Sequence, residues 1–133
     1  MARVICLDAG VVIALFTPDD AHHAAAKNLL AVEPGPFLMH PLTAAETLVG
    51  AAKSGRDAAM WARLQALGVE LAAIGPAEPL LLARLRADHG LKMPDTCALA
   101  AAVHRGVPLA TFDQRLGNVA DSLALRYDIP EVD

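Results

Sequence analysis

Aromatic residues are scarce in this chain. One Trp, one Tyr and three Phe make up 4% of it, so a core has to be assembled from small aliphatic side chains. Ala and Leu dominate those, and both favour helix. Cysteine is scarcer still. Cys6 and Cys97 stand far apart inside apolar stretches and form no CxxC motif, which excludes a disulfide-stapled scaffold and suits a reducing cytoplasm. They read as buried hydrophobes, not as a metal or redox pair. No apolar run reaches the ~18 residues of a membrane span, and no charged-then-apolar leader is visible, so no membrane association is expected. Positive charge is also short: 11 Lys and Arg stand against 15 Asp and Glu, for a net charge of −4. Bulk charge therefore cannot hold a nucleic acid. Repeats, long linkers and low-complexity tails are missing too, and 133 residues fit one compact domain spanning residues 1–133.

What is present is an alternation of short apolar runs with helical stretches. Strands are expected at Arg3 to Leu7, Phe37 to His40, Glu70 to Ile74 and Val107 to Ala110, with a fifth at Leu123 to Tyr127. Helices are expected at Val11 to Phe16, Ala21 to Val32, Thr43 to Lys53, Arg56 to Leu67, Pro76 to His89 and Met93 to Arg105. Gly90 and Gly106 close the last two. The order predicts an α/β fold: a three-layer α/β/α sandwich with a mainly parallel central sheet of four to five strands. Ligands of such folds sit outside the carboxyl ends of the strands.

Charge falls at that edge. In MARVICLDAGVVIALF the first strand stops at Asp8, and Ala9-Gly10 reads as a turn into the next helix. Asp113 lies three residues past Ala110, at the end of the fourth strand. Glu46, in LTAAE, and Asp95, in KMPD, open predicted helices. Each acid has an ordinary explanation. Thr43-x-x-Glu46 matches a capping box, Asp95 suits a helix N-terminus, Thr111-x-Asp113 can start a helix, and Asp8 can sit in a turn. Together the four are harder to dismiss. Two carboxylates ~4 Å apart repel by ~4 kcal/mol at an effective dielectric of ~20, so a cluster of four calls for a cation. An all-oxygen donor set favours Mg²⁺ or Mn²⁺, one or two ions, over zinc. Lys92 and Arg115 are candidates for holding flanking phosphates, and read equally as solvated helix-end charges. The five histidines lack ligand spacing, and His22-His23 reads as an exposed helix start. Trp61, with Leu64 and Leu67, marks one face of its helix, opposite the Ala-rich helix from Thr43.

The stretches LDAGVVIALF, LTAAETLVGA and LKMPDTCALAAAVHRGVPLATFDQRL, in that order and over nearly the whole chain, resemble the PIN domain and in particular the VapC-type toxins of bacterial toxin–antitoxin pairs. The resemblance implies an endoribonuclease dependent on Mg²⁺ or Mn²⁺, an acidic quartet at Asp8, Glu46, Asp95 and Asp113, a homodimer, and a cognate antitoxin that holds the enzyme inactive. One position departs from the pattern. Two residues after the first aspartate the family commonly carries Ser or Thr, and here stands Gly10. Thr111 keeps the hydroxyl expected near the fourth acid.

Rival functions fit less well. A receiver-like phosphoacceptor needs an Asp after the third strand, where the chain reads Ala73-Ile74-Gly75-Pro76. An Asp-x-Asp phosphatase needs an acid in place of Gly10. A non-catalytic PIN-like module that binds RNA or protein is the alternative that Gly10 leaves open.

Overall fold

A computed structural model describes residues 3–132 of the chain. Strand β1 (Ile5–Leu7) is followed by helices α1 (Ala9–Leu15) and α2 (His23–Val32). Strand β2 (Phe37–Met39) leads to α3 (Pro41–Lys53) and α4 (Asp57–Ala66), and β3 (Val69–Leu71) to α5 (Glu78–His89) and α6 (Met93–Arg105). Strand β4 (Leu109–Ala110) precedes α7 (Gln114–Ser122). The four strands form one parallel sheet in the order β3-β2-β1-β4. Cys6 aligns with Leu38 on one side and Leu109 on the other.

The period of two along each strand builds the layers. Ile5, Leu7, Phe37 and Met39 face the core shared with α1 to α4, through Val12, Leu29, Ala44 and Leu64. Cys6, Leu38 and Leu109 face the core shared with α5 to α7, through Leu85, Leu99 and Leu116. Both faces are covered, which is why β1 is apolar throughout and fully buried. Helix α6 lies close on the sheet because Ala98, Ala100, Ala101 and Ala102, all buried, present little bulk. Cys6 Sγ reaches Ala98 O at 3.6 Å. The thiol is pushed up to about 12 by burial and then by the Asp8 charge, so it behaves as a hydrophobe. The three-layer parallel architecture agrees with the sequence reading.

Several boundaries move, each for a local reason. Helix α1 starts at Ala9 and not at Val11, because Asp8 caps it, and the expected Ala9-Gly10 turn is helical. Helix α3 starts at Pro41, not Thr43, with His40 as its cap. The expected fifth strand reduces to a single bridge between Leu109 and Arg126. Ala124, at φ 58°, turns the chain just before it and prevents a longer extended run. Helix α7, hinted at only by Thr111-x-Asp113, is capped by Asp113.

Candidate active site

The sheet order reverses at β1. The chain winds from β1 through β2 to β3 on one side, and β4 then pairs on the other. The crevice beyond the carboxyl ends of β1 and β4 is the switch point where such sheets bind ligands. Asp8 and Thr111 stand directly beyond those two strands.

Asp8 is half-buried and held on both oxygens. Its Oδ1 accepts from Ala9 N at 2.8 Å, which makes it the cap of α1. Its Oδ2 accepts from the Thr111 hydroxyl, also at 2.8 Å. Thr111 Oγ1 accepts in turn from Asp113 N at 3.0 Å. Asp113 Oδ1 accepts from Leu116 N at 2.8 Å and caps α7. One chain of hydrogen bonds therefore joins the first acid to the fourth across the mouth of the sheet. The ordinary explanation for Asp113, a helix cap, holds alongside its place in this chain.

Asp95 stands in the first turn of α6, half-buried. Glu46 is exposed on α3. The capping box is not formed: His40 Nδ1 accepts from Leu42 N at 3.0 Å as the cap, which places Glu46 in the second turn. Thr43 is buried, and among the described residues its hydroxyl has no partner. Glu46 thus has no backbone role at the helix start.

Three of the four acids have raised carboxyls, and charges within the set contribute to each. Burial raises the Asp8 carboxyl above its ordinary range, and the Asp95 and Asp113 charges add to this; the Thr111 hydroxyl and Ala9 N–H oppose it. Glu46 is raised by lost solvent and then by Asp8 and Asp95. Asp95 is raised by burial and then by Asp113, with Lys92 and Arg115 pulling the other way. Lys92 is the cap residue of α6. Arg115, on α7, donates from Nη2 to Gly90 O at 2.9 Å. Both cations therefore act on the Asp95 carboxyl.

An all-carboxylate set in which Asp8, Glu46 and Asp95 are each raised further by a neighbouring carboxylate fits a hard divalent cation. Among the described residues no group of three His, Cys, Asp or Glu side chains is gathered tightly enough to enclose an ion as it stands. Mg²⁺ suits such an open arrangement, because it keeps several waters and binds through one or two carboxylates.

A family model for the PIN domain matches residues 5–122. The chain belongs to the PIN domain family. Solved structures share its fold at low sequence identity. A toxin–antitoxin complex from Klebsiella pneumoniae aligns with TM-score 0.78 and 22% identity, over 96% of this chain and 99% of that one. The VapC20 toxin of Mycobacterium tuberculosis, described as cleaving the sarcin–ricin loop, aligns with TM-score 0.71 and 20% identity, over 86% and 94%. VapBC2 of Rickettsia felis, bound to a DNA fragment from its promoter, aligns with TM-score 0.64 and 12% identity, over 88% and 93%. Among proteins of curated function none matches significantly.

Two contacts of this PIN domain escaped the sequence, and a third feature was only suggested by it. His40 Nε2 bonds to Glu78 Oε1, tying the end of β2 to the start of α5; its place just after β2, like that of Asp8 after β1, was the available signal. His22 stacks on Phe112 with ring centroids 4.2 Å apart and 7° between planes, a pairing with no sequence signal. Trp61 borders an apolar groove with Ala44, Ala45, Leu48 and Leu71, which the Ala-rich helix pair only suggested.

Proposed function

We propose that the chain is an endoribonuclease dependent on Mg²⁺ or Mn²⁺, acting as the toxin of a toxin–antitoxin pair. The hydrogen-bonded chain from Asp8 through Thr111 to Asp113 beyond β1 and β4, with each raised carboxyl among the four acids raised further by another of them, supports this reading. The toxin and toxin–antitoxin assemblies that share the fold support it.

In this reading Asp8 is the anchor, because two hydrogen bonds fix both its oxygens before any ion arrives. Asp95, Asp113 and Glu46 supply the remaining charge. A bound divalent ion polarises the phosphate and lowers the pKa of water. Lys92 and Arg115 hold the phosphates on either side of the cut; Arg115 spends one of its five donors on Gly90 O. Single-stranded or looped RNA is the substrate class, since its backbone can enter a narrow acidic crevice. An antitoxin helix would dock along the apolar groove at Trp61 and cover the acids. A homodimer working in the cytoplasm completes the reading, and the two free, buried cysteines are consistent with that compartment.

The test is cleavage of RNA by the purified chain with Mn²⁺, with Mg²⁺ and with excess EDTA, alongside Asp8→Asn. Cleavage that needs the ion and Asp8 supports the proposal. RNA binding without cleavage under any of these conditions would favour the non-catalytic module, for which the missing hydroxyl at Gly10 is the specific argument.

A further inference from the structure

Beside Thr111 a cavity of about 290 Å³ opens between the start of α2 and the C-terminal segment. Its walls include His22, Phe112, Arg126 and Tyr127, and Thr111 is shared between the cavity and the Asp8 hydrogen bond. Its rings are set in advance. Phe112 sits between Thr111 and Asp113, both hydrogen-bonded into the site. His22 N donates to Asp20 Oδ1 at 2.8 Å, and its ring lies flat on Phe112. The Tyr127 hydroxyl donates to Glu33 Oε1 at 2.9 Å. Arg126 lies across Gly117, within 3.4 Å of Asn118 Oδ1. An exposed histidine held flat on an aromatic ring has one face left toward solvent.

We propose that this cavity receives a nucleobase of single-stranded RNA next to the phosphate held at the carboxylates, with His22 as its stacking platform. The proposal rests on the RNA-directed reading of the acidic site and adds the residue that grips a base. Fixed aromatic faces beside a cation are how single-stranded nucleic acid is held, because every base offers a π-face. The carboxylates repel an RNA backbone that lacks a metal, so a contact with the base, which is uncharged, contributes affinity where charge cannot.

The experiment measures binding of a labelled single-stranded RNA pool of mixed sequence, by fluorescence polarisation, in the Asp95→Asn background. A ribose–phosphate oligomer without bases is the comparison. His22→Ala should weaken RNA binding about tenfold and leave the base-free oligomer unaffected. His22→Trp should restore binding, and His22→Leu should not. In the otherwise unaltered protein, His22→Ala should raise KM for the pool about tenfold, with kcat within about twofold. Equal loss for both oligomers would place His22 on the backbone and overturn the proposal, as would unchanged RNA affinity. If His22→Ala fails to fold, His22→Leu against His22→Trp gives the same decision. A parent that binds RNA but never cleaves it overturns the ribonuclease reading alone; the His22 comparison then still decides this proposal. A parent that binds no RNA overturns both.

Discussion

The Thr111 hydroxyl donates to Asp8 Oδ2 at 2.8 Å across 103 positions of sequence, and Thr111 Oγ1 itself accepts from Asp113 N. A single side chain thereby fixes the central acid of the crevice and the turn that carries another. Thr111→Val keeps the shape and removes both bonds. We expect a stability loss of about 2 kcal/mol, since one bond goes to a charged group and a backbone donor is orphaned. Cleavage should fall at least about tenfold, because Asp8 is no longer held. Thr111→Ser should retain most of both. Urea denaturation and initial cleavage rates decide; a silent Thr111→Val would mean that Asp8 is oriented by Ala9 alone.

Removing charge from the cluster should separate stability from activity. Asp8→Asn and Asp95→Asn should abolish cleavage yet raise the melting temperature of the metal-free protein, by relieving mutual repulsion. Mg²⁺ should then stabilise the parent more than either variant. Asp113 has a second role as the cap of α7. Asp113→Asn should stay folded without activity, whereas Asp113→Ala should lose a further about 1 kcal/mol. Full activity in any of the asparagine variants would remove that acid from the site.

The pH dependence has a definite sign. Asp8 and Glu46 are raised above their ordinary values of 3.8 and 4.5, so the native chain binds more protons than the unfolded one above those values. Without metal, their contribution to stability falls as pH rises from about those values through the raised ones. Asp8→Asn should flatten part of that decline, and Mg²⁺ should flatten it in the parent. Urea midpoints across weakly acidic to neutral pH test this. A parent and an Asp8→Asn variant with parallel profiles would mean that Asp8 is not repelled.

Glu46 and His40 divide the work that a capping box would have combined. Glu46→Gln should abolish cleavage with no change in helix content, because His40 caps α3. His40→Ala should cost about 1–2 kcal/mol and leave the metal concentration for half-maximal cleavage unaltered. Circular dichroism melts and a Mn²⁺ titration distinguish the two residues.

Gly10 is helical, does not have positive φ, and an added Cβ there would meet nothing within 4 Å. Gly10→Ser should therefore fold and gain about 0.5 kcal/mol of helix propensity. If a hydroxyl at this place supports the metal network, the Mn²⁺ concentration giving half-maximal cleavage should drop. A folded variant with an unchanged requirement would show that the network functions without it.

Local sequence pattern was enough to read the layers and where most of the acids stand in their elements. Ile5 to Leu7 is apolar on both faces, which only a doubly covered parallel strand allows. Met93 to Arg105, bounded by Lys92-Met-Pro and Gly106, carries its own start and stop signals, and α6 has those same bounds. Asp8 and Asp113 were legible because strand ends and helix starts are local. Every pairing between distant segments, by contrast, depends on the packed fold. Thr111 meets Asp8 only because β4 lies beside β1. His40 displaces Thr43 as a cap because its other ring nitrogen is held by Glu78, 38 residues away. His22 meets Phe112 only when α2 and the end of β4 are brought together by the folded sheet. Local spacing encodes which residues stand at an element's end; which of those ends face each other depends on strand order, and strand order is a property of the whole packed core.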